Sequence, residues 1–204
     1  MTMSVQSQLV TLQGSADMVT EFFSYACQSI LYSRALYPDT SFVREQKYGI
    51  PLMVTIEKSV KDFLEHILKQ LNVWLLAKVV KKLVLVVKDV ERDVVLERWV
   101  FDIEPQAGDA NEAEADVQAI RRGIQNVLRQ IISCVAIMPV PDVDAHRIFD
   151  ILIYTDKGSD EPALWQETGP QLISNRFREN VQFPGFGTGL HKVNAGVEYR
   201  VDML

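Results

Sequence analysis

The sequence predicts a single α+β domain in which three main helices pack with an antiparallel sheet. Three stretches carry apolar residues at helical spacing, two adjacent strand-like runs are joined by a short polar segment, and strict βαβ alternation is missing. At 204 residues, with 48% hydrophobic and 24% charged composition, the chain suits one well-packed domain and is too apolar to be disordered.

Gly14 and Ser15 open the stretch GSADMVTEFFSYACQSILYSRALYP. Ser15 is placed to cap a helix, Asp17 to sit in its first turn and Pro38 to mark its end. Met18, Val19, Phe22, Phe23, Tyr25, Ala26, Cys27, Ile30 and Leu31 cover more than one stripe, which predicts a central helix enclosed by other elements. SFVREQKYGIPLMVTI then has strand composition interrupted by Gly49 and Pro51. Val60, Phe63, Leu64, Ile67, Leu68, Leu71, Trp74 and Leu75 follow the 3,4 spacing of a second helix. VVKKLVLVVKD and VVLERWVFDIE flank the polar VERD and predict a hairpin, with Trp99, Phe101 and Ile103 on one face and Arg98 and Asp102 on the other.

Residues 105 to 112, PQAGDANE, read as a loop. A third helix follows with Val117, Ile120, Ile124, Val127, Leu128, Ile131 and Val135 inward, and Gly123 weakens its middle. Opposite that stripe Gln118, Arg122, Gln125 and Arg129 line up, which on composition alone reads as a solvated face. In HRIFDILIYTDK both alternating faces are apolar, so the strand is expected to be covered on both sides. From about Gly158 the chain is broken by Pro162, Gly169, Pro170, Pro184 and further glycines. Leu164, Trp165, Leu172, Ile173, Phe177, Phe183 and Phe186 nevertheless give it the means to adhere to the domain. Within it, NVQFPGFGTGLHKVN suits neither a helix nor a central strand, yet a strand-like run follows.

The formal net charge of −6 argues against a broad basic field, so neither nucleic acid nor an acidic membrane is an expected partner. The N-terminus lacks signal-peptide features and no apolar run is long enough to span a bilayer, which predicts a soluble intracellular protein. Cys27 and Cys134 lie in apolar helical patterns without CxxC spacing and read as buried reduced thiols, a disulfide being the alternative. Walker, GxGxxG, GxSxG and HExxH motifs are lacking, and His66, His146 and His191 do not make a zinc pattern. Neither a cofactor nor a metal is expected. A Cys134 nucleophile with His146 as base is the weak enzyme reading, and the carboxylates Asp109, Glu112 and Glu114 are explained by a helix start.

The strings TLQGSADMVTEFFSYACQSILYSRALYP, REQKYGIPLMVT, VLERWVFDIE, NVLRQI, IFDILIYTDK, GPQLISN and HKVN, in order from about Leu12 to Tyr199, resemble the HORMA-domain family in its spindle-checkpoint branch. The resemblance implies a non-enzymatic adaptor with a HORMA domain over 12–200. Its C-terminal safety belt, 158–204, would exist in an open arrangement and in one closed over a partner's peptide. The peptide would add as a strand beside Phe149, Ile151, Leu152, Ile153, Tyr154 and Thr155. Trp74 and Trp165 are carried over as pocket or belt-anchoring residues, with core packing as the competing role, and His191 and Val193 as residues that move with the belt.

The implied partners are mitotic-arrest-deficient protein one, the activator subunit of the anaphase-promoting complex and other checkpoint complex members. A homodimer of open and closed copies would use Arg129, Gln130 and Ile137. The implied locations are the nucleus, the mitotic kinetochore and the cytoplasm. Ile137 stands where the family commonly has a phenylalanine, and FPGFGTGL replaces a tract richer in Ser, Thr and Arg. Adaptors of the meiotic chromosome axis or of translesion DNA polymerases are the alternative within the same fold.

Overall fold

The computed structural model of the chain describes residues 7–108, 110–140, 145–156 and 165–201. Along it run β1 (Gln8–Thr11), α1 (Leu12–Ser33), β2 (Phe42–Lys47), β3 (Ile50–Thr55), α2 (Lys58–Leu76), β4 (Val80–Asp89) and β5 (Val94–Pro105). There follow β6 (Glu112–Ala115), α3 (Val117–Cys134), β7 (Arg147–Thr155), β8 (Arg178–Gly187) and β9 (His191–Arg200). Five of these strands form one antiparallel sheet in the order β7-β4-β5-β9-β8, while β1 pairs with β6 and β2 with β3.

The period-2 pattern of β4 and β5 decides how the layers stack. Leu83, Leu85, Val87, Trp99, Phe101 and Ile103 point to one face, where they join Ile151, Val193, Ala195 and Val197 under the helices. The central helix expected from its broad apolar surface is α1, whose Phe22 and Phe23 pack edge-on against Phe101 at centroid distances of 5.8 and 5.2 Å. Each of these fully buried rings stabilises the fold by roughly 1.5–3 kcal/mol through removal from water. On the opposite face Val84, Val86 and Leu152 form a second buried cluster beneath Val95, Val100 and Tyr154. The strand β7 is therefore apolar on both faces because both are covered.

Several local expectations are corrected. Thr11, not Ser15, caps α1: its hydroxyl accepts the Gly14 amide at 3.1 Å, and the helix begins at Leu12. Ser15 lies inside the helix, fully buried, with partners far along the chain. The helix ends at Ser33, ahead of Pro38, as Ala35 turns to a φ of 48°. Pro105 belongs to β5 and Glu112 to β6, so the loop is shorter than PQAGDANE, while Asp109 lies outside the described residues. Pro51 does not interrupt the strand-like run, but Gly49 does. With Tyr48 it makes a two-residue hairpin turn, φ 51° and 72°, that leaves Pro51 at the start of β3.

Much of the segment expected to be irregular is regular. Pro184 and Gly185 lie in β8, at the sheet edge and at a register shift between Phe183 and Phe186, where a missing N–H breaks no ladder. Both thiols are free and buried. Burial pushes each up to about 12, so neither supplies a thiolate at neutral pH.

Candidate functional site

Among the described residues β7 pairs only with β4, and its outer edge carries backbone groups without a strand partner. The Ile151 amide donates to Asp150 Oδ1 at 2.8 Å, so a side chain of the same strand serves this edge. The amides of Phe149 and Ile153 point the same way by the alternation of an antiparallel ladder. On the helix side of the edge, Phe149 meets Phe63 of α2 at 5.5 Å and Tyr37 at 6.3 Å, and Phe63 remains 39% exposed. The edge thus offers main-chain hydrogen bonds beside an apolar strip.

What encloses that edge is the chain after β7. Trp165 packs on Trp74, near the C-terminal end of α2, with centroids 4.9 Å apart, and so lies on the helix side of the sheet. Five and six residues later the contacts are on the other side: the Tyr154 hydroxyl donates to the Pro170 carbonyl at 3.5 Å, and Gln171 Nε2 donates to Asp150 Oδ2 at 3.5 Å. Tyr154 belongs to the second-face cluster. Residues 165–171 therefore pass around the outside of β7, a path that six residue steps of up to ~3.5 Å can span.

The chain then crosses to the far side of the sheet, four strand spacings or roughly 19 Å away, where β8 and β9 add to β5. Phe186 enters the core against Phe22 at 4.9 Å, and Phe183 lies 6.5 Å from Trp99. The hairpin tip is held by a buried polar chain. The Leu75 carbonyl accepts from His191 Nε2 at 3.3 Å, which fixes Nδ1 as the acceptor for the Ser15 hydroxyl at 2.7 Å. Ser15 in turn accepts from Thr188 Oγ1 at 2.5 Å, and Thr188 Oγ1 accepts the His191 amide at 2.9 Å. Burial lowers the His191 pKa, so the imidazole is neutral as this network requires.

The structure thus brings together only some of the residues singled out in the sequence. Phe149, Ile151 and Ile153 face the helices, Leu152 and Tyr154 the opposite cluster, Thr155 ends the strand, and Trp74 with Trp165 stands beside it. His191 and Val193 lie on β9, two strands from β4, and anchor the hairpin instead of lining the free edge. Arg129 and Gln130 are exposed on α3, and Ile137, in the turn after it, is 63% exposed. Because α3 packs on β8, this surface lies toward the sheet edge opposite β7. Tyr37, Phe63, Asp150, Pro170 and Gln171 were not singled out. In the sequence Phe63 reads as one more member of the apolar helix stripe, and its exposure is visible only in the fold. Residues 158–164 and 202–204 of the expected belt lie outside the described residues. Among the described residues no cluster of His, Cys, Asp and Glu could hold a metal ion, and no helix is long and apolar enough to cross a membrane.

The HORMA domain family model matches residues 15–183. The chain is 43% identical over 199 residues to the human mitotic spindle assembly checkpoint protein MAD2A, covering 96% of this chain and 95% of that one. To the Dictyostelium discoideum protein of the same name it is 42% identical over 195 residues, 94% of each chain. A chain in the crystal structure of the mitotic checkpoint complex superposes with a TM-score of 0.83 at 34% identity, over 93% of this chain and all of the other. Caenorhabditis elegans HTP-2, solved with a HIM-3 closure motif, shares the fold at a TM-score of 0.72 and 12% identity, over 93% and 91% of the two chains. With a family match over most of its length and checkpoint relatives aligned nearly end to end, the chain belongs to the HORMA-domain family, in its spindle assembly checkpoint branch.

Proposed function

We propose that this checkpoint adaptor holds a short peptide of a partner as an added strand on the outer edge of β7, enclosed by residues 165–177. The observation that carries the reading is the path of residues 165–171 around that edge, from Trp74 on one side to Tyr154 and Asp150 on the other. A strand seated there would gain backbone hydrogen bonds from β7 and side-chain contacts from Phe63, Phe149, Trp74 and Tyr154. It could leave only when the enclosing segment opened.

The domain is assigned to 12–200, with 158–204 as its belt. The β8–β9 hairpin on β5 represents the closed arrangement. In the open one the same residues would pair elsewhere and deny the β7 edge to a ligand. Such a switch needs two packings that differ by only a few kcal/mol, and full reversal from 1:99 to 99:1 takes about 5.5 kcal/mol of differential binding. Mitotic-arrest-deficient protein one and the activator subunit of the anaphase-promoting complex are the proposed partners, with a second copy docking on Arg129, Gln130 and Ile137. Sequestration of the activator at or from kinetochores would delay anaphase, and the protein would act in the nucleus and cytoplasm without catalysis.

Fluorescence anisotropy with labelled peptides from the two checkpoint partners, and from axis and polymerase partners of other HORMA adaptors, tests this reading. Saturable, slowly reversed binding of the checkpoint peptides supports it. Selective binding of axis or polymerase peptides would transfer the protein to the alternative branch.

A further inference from the structure

The face of α3 that carries Gln118, Arg122 and Gln125 meets the β2–β3 turn across a cleft of about 540 Å³. Its walls are fixed: Gln125 Nε2 donates to the Tyr48 carbonyl at 2.6 Å, and the turn itself is a tight two-residue hairpin. The carboxylate that lines it, Glu21, is engaged at both oxygens, Oε2 by the Lys47 ammonium at 2.7 Å and Oε1 by the Tyr48 hydroxyl. Lys47 is committed further, its ammonium lying 5.6 Å from the ring centroids of Tyr25 and Tyr48.

Two cations remain available. Arg122 is exposed and reaches Asp116 only at 3.4 Å, a distance at which an exposed pair contributes little. Arg121, also exposed, makes no hydrogen bond or ion pair with another described residue, and its charge acts on the Tyr48 hydroxyl at the cleft wall. On a chain of formal net charge −6, this is a local excess of positive charge in a concave, amide-lined site.

We propose that this cleft binds an anionic group, a carboxylate or a phosphoryl, presented by a partner polypeptide lying along α3. Arg121 and Arg122 supply charge-assisted donors, and the amides of Gln46 and Gln118 supply neutral ones. A polypeptide suits the site better than a free ion, since the cleft is far larger than one phosphate and opens onto the helix face that Arg122 shares with Arg129, two turns away. The walls come from α1, the β2–β3 turn and α3, so the site does not depend on the belt reading.

The test is an NMR titration of the full chain, following the backbone amides and arginine Nε groups. The probes are a Glu-rich heptapeptide, the same peptide with phosphoserine replacing Glu, its Gln counterpart and inorganic phosphate. The proposal expects saturable shifts at Gly49, Arg121 and Arg122 with an anionic peptide and none with the Gln peptide. Binding should weaken at least about tenfold in Arg121→Gln and stay unchanged in Trp165→Ala, where the belt is altered. Tighter binding of one anionic peptide than the other identifies the group. Equal response to the Gln peptide, or binding kept within twofold in the Arg121→Gln/Arg122→Gln variant, overturns the site. Free phosphate binding as tightly as either peptide overturns the polypeptide assignment.

Discussion

Phe186 of β8 closes directly onto Gly123 of α3: a Cβ on the glycine would stand 2.7 Å from the Phe186 Cβ. The glycine that weakens the middle of α3 is what lets the hairpin approach, so a local cost to the helix is offset by a tertiary contact. Gly123→Ala should gain up to ~1 kcal/mol of helix propensity and lose ~1–3 kcal/mol to overpacking. The net effect should be destabilisation of the docked hairpin, measured by urea unfolding and by faster amide exchange in 178–200. In a Phe186→Gly background, where no Cβ is met, the same substitution should become stabilising.

The His191 latch makes hairpin docking depend on pH. Burial and, more weakly, the charge of Lys78 lower its pKa below 6.5, while the hydrogen bond to Leu75 acts in the other direction. The unfolded chain therefore takes up the proton first as pH falls. The latch contributes fully above about 6.5 and is lost below it as pH falls through the lowered folded value, with a slope of at most ~1.4 kcal/mol per pH unit. Urea unfolding between pH 7.5 and 5 should show this slope in the native chain and a flatter profile in His191→Gln. Identical profiles would remove His191 from the account.

Ser15→Ala tests the same latch without changing a titrating group. The substitution leaves His191 Nδ1 and Thr188 without their shared partner and should cost ~1–3 kcal/mol, outweighing the few tenths of a kcal/mol that Ser→Ala gains in helix propensity. A double-mutant cycle with Thr188→Ala should give a coupling of ~0.5–3 kcal/mol between residues far apart in sequence.

The buried pair of Arg34 and Glu97, 2.6 Å apart at its closest, ties the end of α1 to β5, and Glu97 also accepts the Trp99 indole N–H at 2.9 Å. Removing the carboxylate in Glu97→Ala leaves a guanidinium buried, and the expected loss is ~3–5 kcal/mol. Replacing both members by apolar residues of similar size should cost less than either single change. Equilibrium unfolding of the three variants decides it.

Where apolar residues recur at a regular spacing, the sequence was readable. The second and third helices, the β4–β5 hairpin and the two-faced β7 follow from residues such as Leu64, Ile67 and Leu71, or Trp99, Phe101 and Ile103, whose spacing alone fixes the element. Elements stabilised by distant partners were hidden. Ser15 and Thr11 are both plausible caps, and only the tertiary bond from Thr188 to Ser15 explains why the latter is not one. Strand β6 reads EAEA and exists because β1 pairs with it. Pro184 argues against a strand unless the strand is known to be an edge with a bulge. For the candidate site, the resemblance pointed to β7 and both tryptophans. The contacts of Pro170 and Gln171, formed by a segment without periodicity, could come only from the fold.

The most direct test of the enclosed-edge reading is amide hydrogen exchange at Phe149, Ile151 and Ile153, before and after a checkpoint partner's peptide is added. A bound strand should slow exchange at Phe149 and Ile153 and along residues 165–177, while β4 and β5 stay as they were. Saturable binding that leaves those edge amides and the enclosing segment unchanged would contradict the account.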